Sequence, residues 1–451
     1  MTGIGLILVI LVGVIFIVVA TAKWKLHPFL SLLFASFIVG IAAGLPFKTI
    51  IESLNNGFGG LMGYIGIVIV CGTIIGTILE KSGAAFRMAE VVLRLVGEKR
   101  PQLAMSLIGA VVSVPVFCDS GYVILSSLKK SLAKRAKVTI ASMSIALATG
   151  LYATHVLVPP TPGPIAAAGN LGASDYLGTV ILLGLIVSIP CIIVGYLWAL
   201  KAGSTISVEG EDEEQASYDE VIAGFGKMPS TFKSFAPIVI PILLIGLSSF
   251  LSFLEWKSWA ADFFLFIGQP VVALIIGVLV SFSLLPAFNE ETLTGWINEA
   301  IKDAAGILLI TGAGGAFGGI IKATPVADYI QKIADGGETG GIAFLLIAFA
   351  IAAALKTAQG SSTAALVITS SLIAPLLPVL GIEGAVPLTL VVMAVGAGAM
   401  TVSHVNDSYF WVVTQFSGMK VTDAYKAQTT ATLLQGITAI LTTVLLWVIL
   451  V

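Results

Sequence analysis

The sequence predicts an all-α polytopic membrane protein, and its composition, long apolar runs and two interrupted segments are the observations that predict it. Of the 451 residues, 57% are hydrophobic and only 11% are charged, whereas soluble domains carry about 25% charged residues. The mean hydropathy is +1.04. A net charge of −2 supplies no basic field for nucleic acid. The lipid bilayer, and no nucleic acid, is therefore the expected partner of the chain.

Ten segments are each apolar over roughly the 20 residues that a helix needs to cross a bilayer. In chain order they are 3–21, 28–45, 58–80, 138–158, 177–200, 235–254, 263–285, 303–321, 384–403 and 428–450. The first has no basic region before it, so we interpret it as a span and not as a removed signal peptide. The three cysteines lie inside apolar runs, without the spacing of a metal site or a disulfide framework. We expect no bound metal.

Two further apolar regions, 101–133 and 341–379, are interrupted by polar residues. The first breaks at "DSG" (119–121) and the second at "KTAQGSSTA" (356–364), and each arm is short for a full crossing. Non-helical backbone at membrane depth is tolerated only where it is buried in protein or lines a watery cavity. Both regions are therefore predicted to be re-entrant hairpins with polar tips, the alternative being two pairs of short spans.

The basic residues predict the orientation in the membrane. Most of the 23 lysines and arginines fall on one side of the predicted spans, which marks that side as cytoplasmic. Ten crossings then place both termini outside. The one long polar stretch, 201–233 with the acidic run "EGEDEE", is interpreted as a disordered cytoplasmic linker. It separates an N-terminal half, 1–200, from a C-terminal half, 234–451.

The two halves share one plan of three spans, a hairpin and two spans. Five crossings per half is an odd number, so the second half is predicted to be an inverted repeat of the first. The stretch "CGTIIGTILEKSG" (71–83) parallels "AGGAFGGIIKATP" (313–325), and "ATHV" (153–156) parallels "VSHV" (402–405). Inverted repeats with broken helices are typical of secondary transporters, which bind their substrate near the midplane between the repeats.

The polar hairpin tips and the segments beside them form the predicted substrate site. A broken helix leaves free N–H groups at its N-terminus, and these groups attract an anion. Small and hydroxyl-bearing residues allow close approach and supply hydrogen-bond donors. The candidate binding residues are Ser120, Gly121, Thr161, Gly163, Lys356, Gln359, Gly360, Ser361, Ser362, Thr363 and Asn406.

Four titratable residues are candidates for proton coupling: Asp119, His155, His404 and Asp407. An ionised aspartate at membrane depth costs several kcal/mol, so Asp119 either takes up a proton or caps the second arm of its hairpin. Each histidine either relays protons or is a hydrogen-bonded structural residue, and Asp407 either binds a ligand or caps the next helix. Lys356 either pairs with a substrate carboxylate or with Asp119, or it snorkels to the outer interface.

The glycine-rich stretch "TGAGGAFGG" (311–319) superficially suggests a nucleotide loop. It lies in a predicted span, without a preceding strand and without the lysine-serine pair of a P-loop. Close helix packing through small residues explains it better. The chain also lacks a serine–histidine–carboxylate order and paired carboxylates at a useful spacing, so it is not predicted to be an enzyme.

Five motifs together resemble the gluconate:proton symporter (GntP) family of the ion-transporter superfamily. In order over nearly the whole chain, they are "FCDSGYVIL", "PPTPGPIAAAGNLGA", "ILLITGAGGAFG", "LKTAQGSSTAA" and "SHVNDSYFW". The resemblance implies a bacterial cytoplasmic-membrane importer of gluconate or a related hydroxylated carboxylate by proton symport, with protons as the coupling ion and no cofactor. It also implies a homodimer and an elevator-type motion of the hairpin-bearing domains.

The resemblance also implies alternatives and a set of functional residues. A D-serine or short hydroxy acid permease of the same family is the alternative, and a channel or a membrane enzyme is disfavoured. Many members have arginine where this chain has Lys356, and a lysine lacks bidentate carboxylate recognition, so the exact substrate stays open. The residues carried over within the motifs are Asp119, Ser120, Gly121, His155, Thr161, Gln359, Ser361, Ser362, His404, Asn406 and Asp407.

Overall fold

The computed structural model describes residues 4–97, 99–206, 208, 228–253, 258–324 and 341–451. This part of the chain forms helices, turns and loops, and no β-strand. Its main helices are α1 (Ile4–Ala22), α2 (Pro28–Ala42), α3 (Phe47–Lys81), α4 (Ala84–Val96), α5 (Pro101–Val112), α6 (Cys118–Ala136), α7 (Ile140–Leu157), α8 (Pro162–Asn170), α9 (Leu177–Lys201), α10 (Thr231–Phe253), α11 (Trp259–Ile267), α12 (Pro270–Ser281), α13 (Trp296–Lys322), α14 (Gly341–Gln359), α15 (Ser362–Ile373), α16 (Ala385–Ala399), α17 (Ser408–Ser417) and α18 (Thr430–Leu450).

The helices confirm a multi-pass membrane protein. In the described ranges, six helical stretches are long and apolar enough to cross a bilayer, and two bent pairs bring the number to eight. The bends are 42° within α3 and 68° between α11 and α12. The sequence predicted ten spans. The number is lower because some of the predicted spans are shorter helices, such as α2 and α16 with 15 residues each.

Helices α3 and α13 pack against each other along most of their lengths, and glycines allow this close approach. A Cβ atom added to Gly315 would collide with the carbonyl oxygen of Gly57, and one added to Gly319 would collide with that of Ser53. The backbones of the two helices are therefore in direct contact. This confirms that the glycine-rich stretch 311–319 serves helix packing.

The first hairpin breaks earlier than the sequence predicted. Helix α5 ends at Val112 and α6 begins at Cys118, so the break is 113–117, and "DSG" (119–121) lies in the first turn of α6. Pro115 accounts for this position, because proline has no N–H to donate and disrupts a helix interior. Gly121 is helical and packs on the Leu151 side chain. Its role is close packing, and the prediction that it forms the break is wrong.

The second hairpin breaks where the sequence predicted. Helix α14 ends at Gln359, Gly360 follows with a φ of +89°, and α15 begins at Ser362. The hydroxyl of Ser361 caps α15 by accepting a hydrogen bond of 3.1 Å from the Ala364 N–H. The first arm is longer than predicted, since α14 has 19 residues and can cross a membrane by its length.

Two more helices are interrupted beside the hairpins. Residues 158–161 separate α7 from α8, and residues 400–407, which we call the α16–α17 segment, separate α16 from α17. Helix α3 packs against both breaks of the first half through two glycines. A Cβ atom on Gly72 would lie 2.7 Å from the Pro160 carbonyl oxygen, and one on Gly76 would meet that of Pro115.

The same order of helices occurs in both halves. Helix α5 packs on α7 and α7 on α9, while α14 packs on α16 and α16 on α18. This order agrees with repeated halves, and the inverted relation between them stays a prediction. The acidic run "EGEDEE" (209–214) of the predicted linker lies outside the described residues.

Candidate functional site

A buried ion pair joins the second hairpin to the α16–α17 segment. The Lys356 Nζ atom lies 2.6 Å from Asp407 Oδ2, and the two side chains are 0% and 5% exposed. Lys356 also donates to the carbonyl oxygen of Gly360 at the hairpin tip. Lys356 therefore neither snorkels to the interface nor pairs with Asp119, because Asp407 provides its counter-charge inside the protein.

Asp407 accepts three hydrogen bonds at the N-terminus of α17. Its Oδ2 atom accepts from Lys356 and from the Ser403 hydroxyl. Its Oδ1 atom accepts from the Tyr409 N–H at 3.1 Å, which makes Asp407 the N-cap of α17. The cap predicted as one alternative is present, and the same carboxylate is also the partner of a buried cation.

Aromatic rings from α6, α7 and α17 surround this ion pair. Lys356 Nζ lies 5.7 Å from the ring centroid of Tyr152, within the range of a cation–π interaction. Tyr152 stacks on Tyr409 with centroids 5.2 Å apart, and Tyr122 meets Tyr409 edge-on at 6.3 Å. The Tyr409 hydroxyl donates to the Ala148 carbonyl oxygen at 2.8 Å. These contacts fix the positions of the rings beside the pair.

Several buried polar atoms next to the ion pair have no hydrogen-bond partner among the described residues. They are both amide atoms of Gln359, Asn406 Oδ1, Asp119 Oδ1, His155 Nδ1 and the Tyr152 hydroxyl. Asp119 and His155 lie within electrostatic range of Lys356 and Asp407, and Tyr152 lies beside Ser362. A buried polar group without a partner costs about 1–3 kcal/mol, so a ligand that hydrogen-bonds to these atoms gains that energy.

The α16–α17 segment is tied to the end of α14 through a single carbonyl group. Asn406 Nδ2 donates to the Thr357 carbonyl oxygen at 2.8 Å. His404 Nε2 lies 2.8 Å from the same oxygen, and since a carbonyl only accepts, Nε2 is the protonated ring nitrogen. His404 thus makes the structural hydrogen bond that was one of its two predicted roles.

The first turn of α8 meets the second hairpin at Gly163. A Cβ atom on Gly163 would lie 3.7 Å from the Thr363 hydroxyl and 2.8 Å from the end of the Leu366 side chain, so α8 and α15 pack closely at this glycine. The Thr161 hydroxyl donates to the carbonyl oxygens of His155 and Val158, at 2.8 and 2.7 Å. Thr161 therefore satisfies the broken end of α7 with the hydrogen that was predicted to face the site.

Two of the predicted residues lie apart from the ion pair. Ser120 lies beside the Glu80 carboxylate of α3, and Ser361 is exposed and caps α15. Asp119 does not cap α6 as the sequence allowed, because Phe117 occupies the N-cap position. Its Oδ2 atom instead lies 3.7 Å from the Cys118 sulfur.

Sequence reasoning missed three residues that support the site. Tyr152 lies one helical turn before His155 on α7, and Ser403 lies four residues before Asp407, so both spacings carried a signal. Asn170 ends α8, and the two hydrogens of its Nδ2 atom are shared among Ser370 Oγ at 2.7 Å, Ser371 Oγ at 2.9 Å and the Val367 carbonyl oxygen at 3.1 Å. No local pattern reveals these contacts, which join α8 to α15 across the two halves.

The described residues contain no group of three histidine, cysteine or carboxylate side chains that could hold a metal ion. The site instead consists of the Lys356 cation, the Asp407 carboxylate and the hydrogen-bonding groups beside them. It lies where the hairpins meet the two interrupted helices. Broken helices around a buried polar site are typical of membrane transporters.

Comparison with known proteins gives the family within this class. Residues 5–449 match the family model described as GntP family permease. The chain therefore belongs to the GntP family of permeases, and it is a transporter and not an enzyme. The resemblance seen in the five sequence motifs is confirmed.

Two relatives cover nearly the whole chain. The gluconate permease of Pseudomonas aeruginosa is 32% identical over 432 residues, which cover 94% of this chain and 93% of the relative. The D-serine transporter DsdX of Escherichia coli K12 is 32% identical over 443 residues, covering 97% of each. The identity to relatives with two different substrates is thus the same.

A solved structure shares the fold. The crystal structure of the Alcanivorax borkumensis YdaH transporter, described as having an unusual topology, matches with a TM-score of 0.65 at 15% identity. The match covers 93% of this chain and 96% of that chain. At this identity the likeness shows the fold alone.

Proposed function

We propose that this permease imports gluconate or a related hydroxylated carboxylate together with protons. The observation that carries the proposal is the Lys356–Asp407 pair at the tip of a broken helix, with partner-free hydrogen-bonding atoms beside it. A buried lysine suits a carboxylate, and the neighbouring carboxylate is a group that can take up a proton. The named gluconate relative supports this substrate class.

The polar groups beside the pair suit a polyol. The Gln359 amide and the Tyr152 hydroxyl can donate and accept, while Asn406 Oδ1 and Asp119 Oδ1 accept. The hydroxyls of a sugar acid can serve both kinds of partner. Ser362, Thr363 and the Gly360 tip complete the proposed binding surface, and Asp119, His155, His404 and Asp407 are the proposed coupling residues.

The architecture that we propose consists of two inverted repeats, each with five spans and one hairpin. The hairpin-bearing part would move as an elevator against the α3–α13 pair within a homodimer. Both termini would lie outside the cytoplasmic membrane, with the 201–233 linker inside. The positive-inside distribution of lysine and arginine supports this orientation.

Uptake of labelled gluconate into proteoliposomes tests the proposal. With an inward proton gradient, gluconate is expected to accumulate above its external concentration, and a protonophore is expected to abolish the accumulation. Equal uptake with and without the gradient would contradict proton coupling. Accumulation that follows an inward sodium gradient instead would replace the coupling ion.

A D-serine permease is the second candidate, because the D-serine transporter is as similar in sequence as the gluconate permease. A competition panel separates the two: unlabelled gluconate, glycerate and D-serine are each added against labelled gluconate. Displacement by D-serine at lower concentrations than by gluconate would favour the amino acid. A flux that does not saturate would favour a channel over either carrier.

A further inference from the structure

We infer that Lys356 is the anchor for the substrate carboxylate and that Asp407 occupies this anchor until it is protonated. The inference rests on the proposed function and adds to it the order of events and the charge that moves. Protonation of Asp407 would then release Lys356, which is already in the site, to bind the substrate.

The geometry makes the two carboxylates competitors. The Lys356 ammonium has three hydrogens, and the side chain is fully buried. One hydrogen bond goes to Asp407 Oδ2 and another to the Gly360 carbonyl oxygen, while the face of the Tyr152 ring covers the ammonium at 5.7 Å. A carboxylate of the substrate therefore reaches Nζ with full charge pairing only by replacing Asp407.

The charge balance favours protonation as the trigger. In the ion pair of the present structure, the charges of Lys356 and Asp407 sum to zero. If a substrate monoanion entered alone, the buried site would carry one net negative charge, which costs several kcal/mol in the membrane. If a proton from water binds Asp407 as its bond to Lys356 breaks, the lysine pairs with the substrate and the sum stays at zero. One proton and one monoanion then cross together without net charge.

The neutral Asp407 keeps hydrogen-bond partners after the exchange. In the present structure Oδ2 accepts from Ser403 and Oδ1 accepts from the Tyr409 N–H. The protonated acid can retain the bond to the Tyr409 N–H at Oδ1 and donate its new O–H to the Ser403 hydroxyl oxygen, whose rotation supplies the acceptor. The helix cap of α17 thus survives the step, and only the Lys356 contact is exchanged.

Other titratable groups face the pair from each neighbouring element. They are Cys118 and Asp119 on α6, Tyr152 and His155 on α7, His404 in the α16–α17 segment, and Tyr409 on α17. Asp119 is the competing proton carrier, since its Oδ1 atom is buried without a partner in the described part of the chain. Asp407 is preferred as the proton carrier because it is hydrogen-bonded to Lys356, whereas Asp119 contacts Cys118.

The test is gluconate binding to purified protein in detergent as a function of pH. If one proton binds with each gluconate, the dissociation constant of the wild type is expected to rise with pH, by up to about tenfold per pH unit. Asp407→Asn, which has the shape of the protonated acid, is expected to bind gluconate without this slope. The control Asp262→Asn, at an exposed position outside the site, is expected to retain the slope.

Each result separates the inference from the proposed function. If the wild type binds no gluconate at any pH, the proposed function fails and the inference with it. If gluconate binds with a dissociation constant independent of pH, or if Asp119→Asn removes the slope while Asp407→Asn keeps it, only the inference is overturned.

A charge measurement decides the matter if Asp407→Asn does not fold. Gluconate addition to wild-type proteoliposomes on a solid-supported membrane is expected to give no steady transport current, because one proton accompanies one monoanion. A current of inward positive charge means that more than one proton enters per gluconate, and it would overturn the one-proton exchange.

Discussion

A methyl group added at Gly360 should push the tip of the second hairpin away from the α16–α17 segment, which carries Asp407. The Gly360 φ of +89° disfavours any L-residue, at a cost of about 1–2 kcal/mol. A Cβ atom at this position would also collide with the Asn406 carbonyl oxygen and lie 2.6 Å from the Asn406 carbonyl carbon. These are backbone atoms that no rotamer change can move, so overpacking adds about 1–3 kcal/mol.

Gly360→Ala is therefore expected to lose about 2–5 kcal/mol of stability and to displace Asn406 and Asp407 from Lys356. Gly44→Ala is the matched control, since Gly44 has a φ of +81° and no atom within 4 Å of its Cβ position. The control should show only the conformational cost, of about 1–2 kcal/mol, and should transport. The assays are unfolding in detergent and gluconate uptake per folded molecule. Equal unfolding and equal uptake for the two variants would refute the close contact between the tip and the α16–α17 segment.

Three further substitutions test separate parts of the account. Gln359→Met is expected to leave stability within about 0.5 kcal/mol, because the described residues supply no partner for this amide, and to weaken gluconate binding at least tenfold. The exposed control Gln415→Met should change neither stability nor binding. Asn170→Ala removes the hydrogen bonds that the Asn170 amide donates to α15 and is expected to cost about 1–3 kcal/mol in unfolding experiments. An unchanged stability would show that other contacts hold α8 to α15. Gly315→Ala should prevent α3 and α13 from packing and lower the unfolding temperature, whereas Gly306→Ala on the same helix, with open space at its Cβ position, should not.

Features that depend on composition or on local chemistry were predictable from the sequence. Long apolar runs gave the helical membrane protein, and the tip at Gly360 follows from a glycine next to a capping serine. The break of the first hairpin lies before the polar "DSG" because Pro115, and not the polar residues, determines it. A proline interrupts the helical hydrogen bonds directly, whereas Asp119 and Ser120 fit within the first turn of α6.

The sequence alone does not predict which residues contact one another in the site. Lys356 and Asp407 are 51 residues apart, and either could have found another partner or water. Their pairing depends on α14 and the α16–α17 segment lying side by side, which is a tertiary arrangement. Asn170 reaches α15 across roughly 200 residues for the same reason. The candidate residues were thus identifiable by type, and their contacts were not.

Proton symport by this permease is best tested by the pH inside proteoliposomes while gluconate enters. Vesicles that contain a pH-sensitive dye and start without a pH gradient or membrane potential receive external gluconate. The account predicts that the lumen acidifies as gluconate enters, with one proton taken up per gluconate. Gluconate entry that leaves the internal pH unchanged would contradict proton symport by this permease.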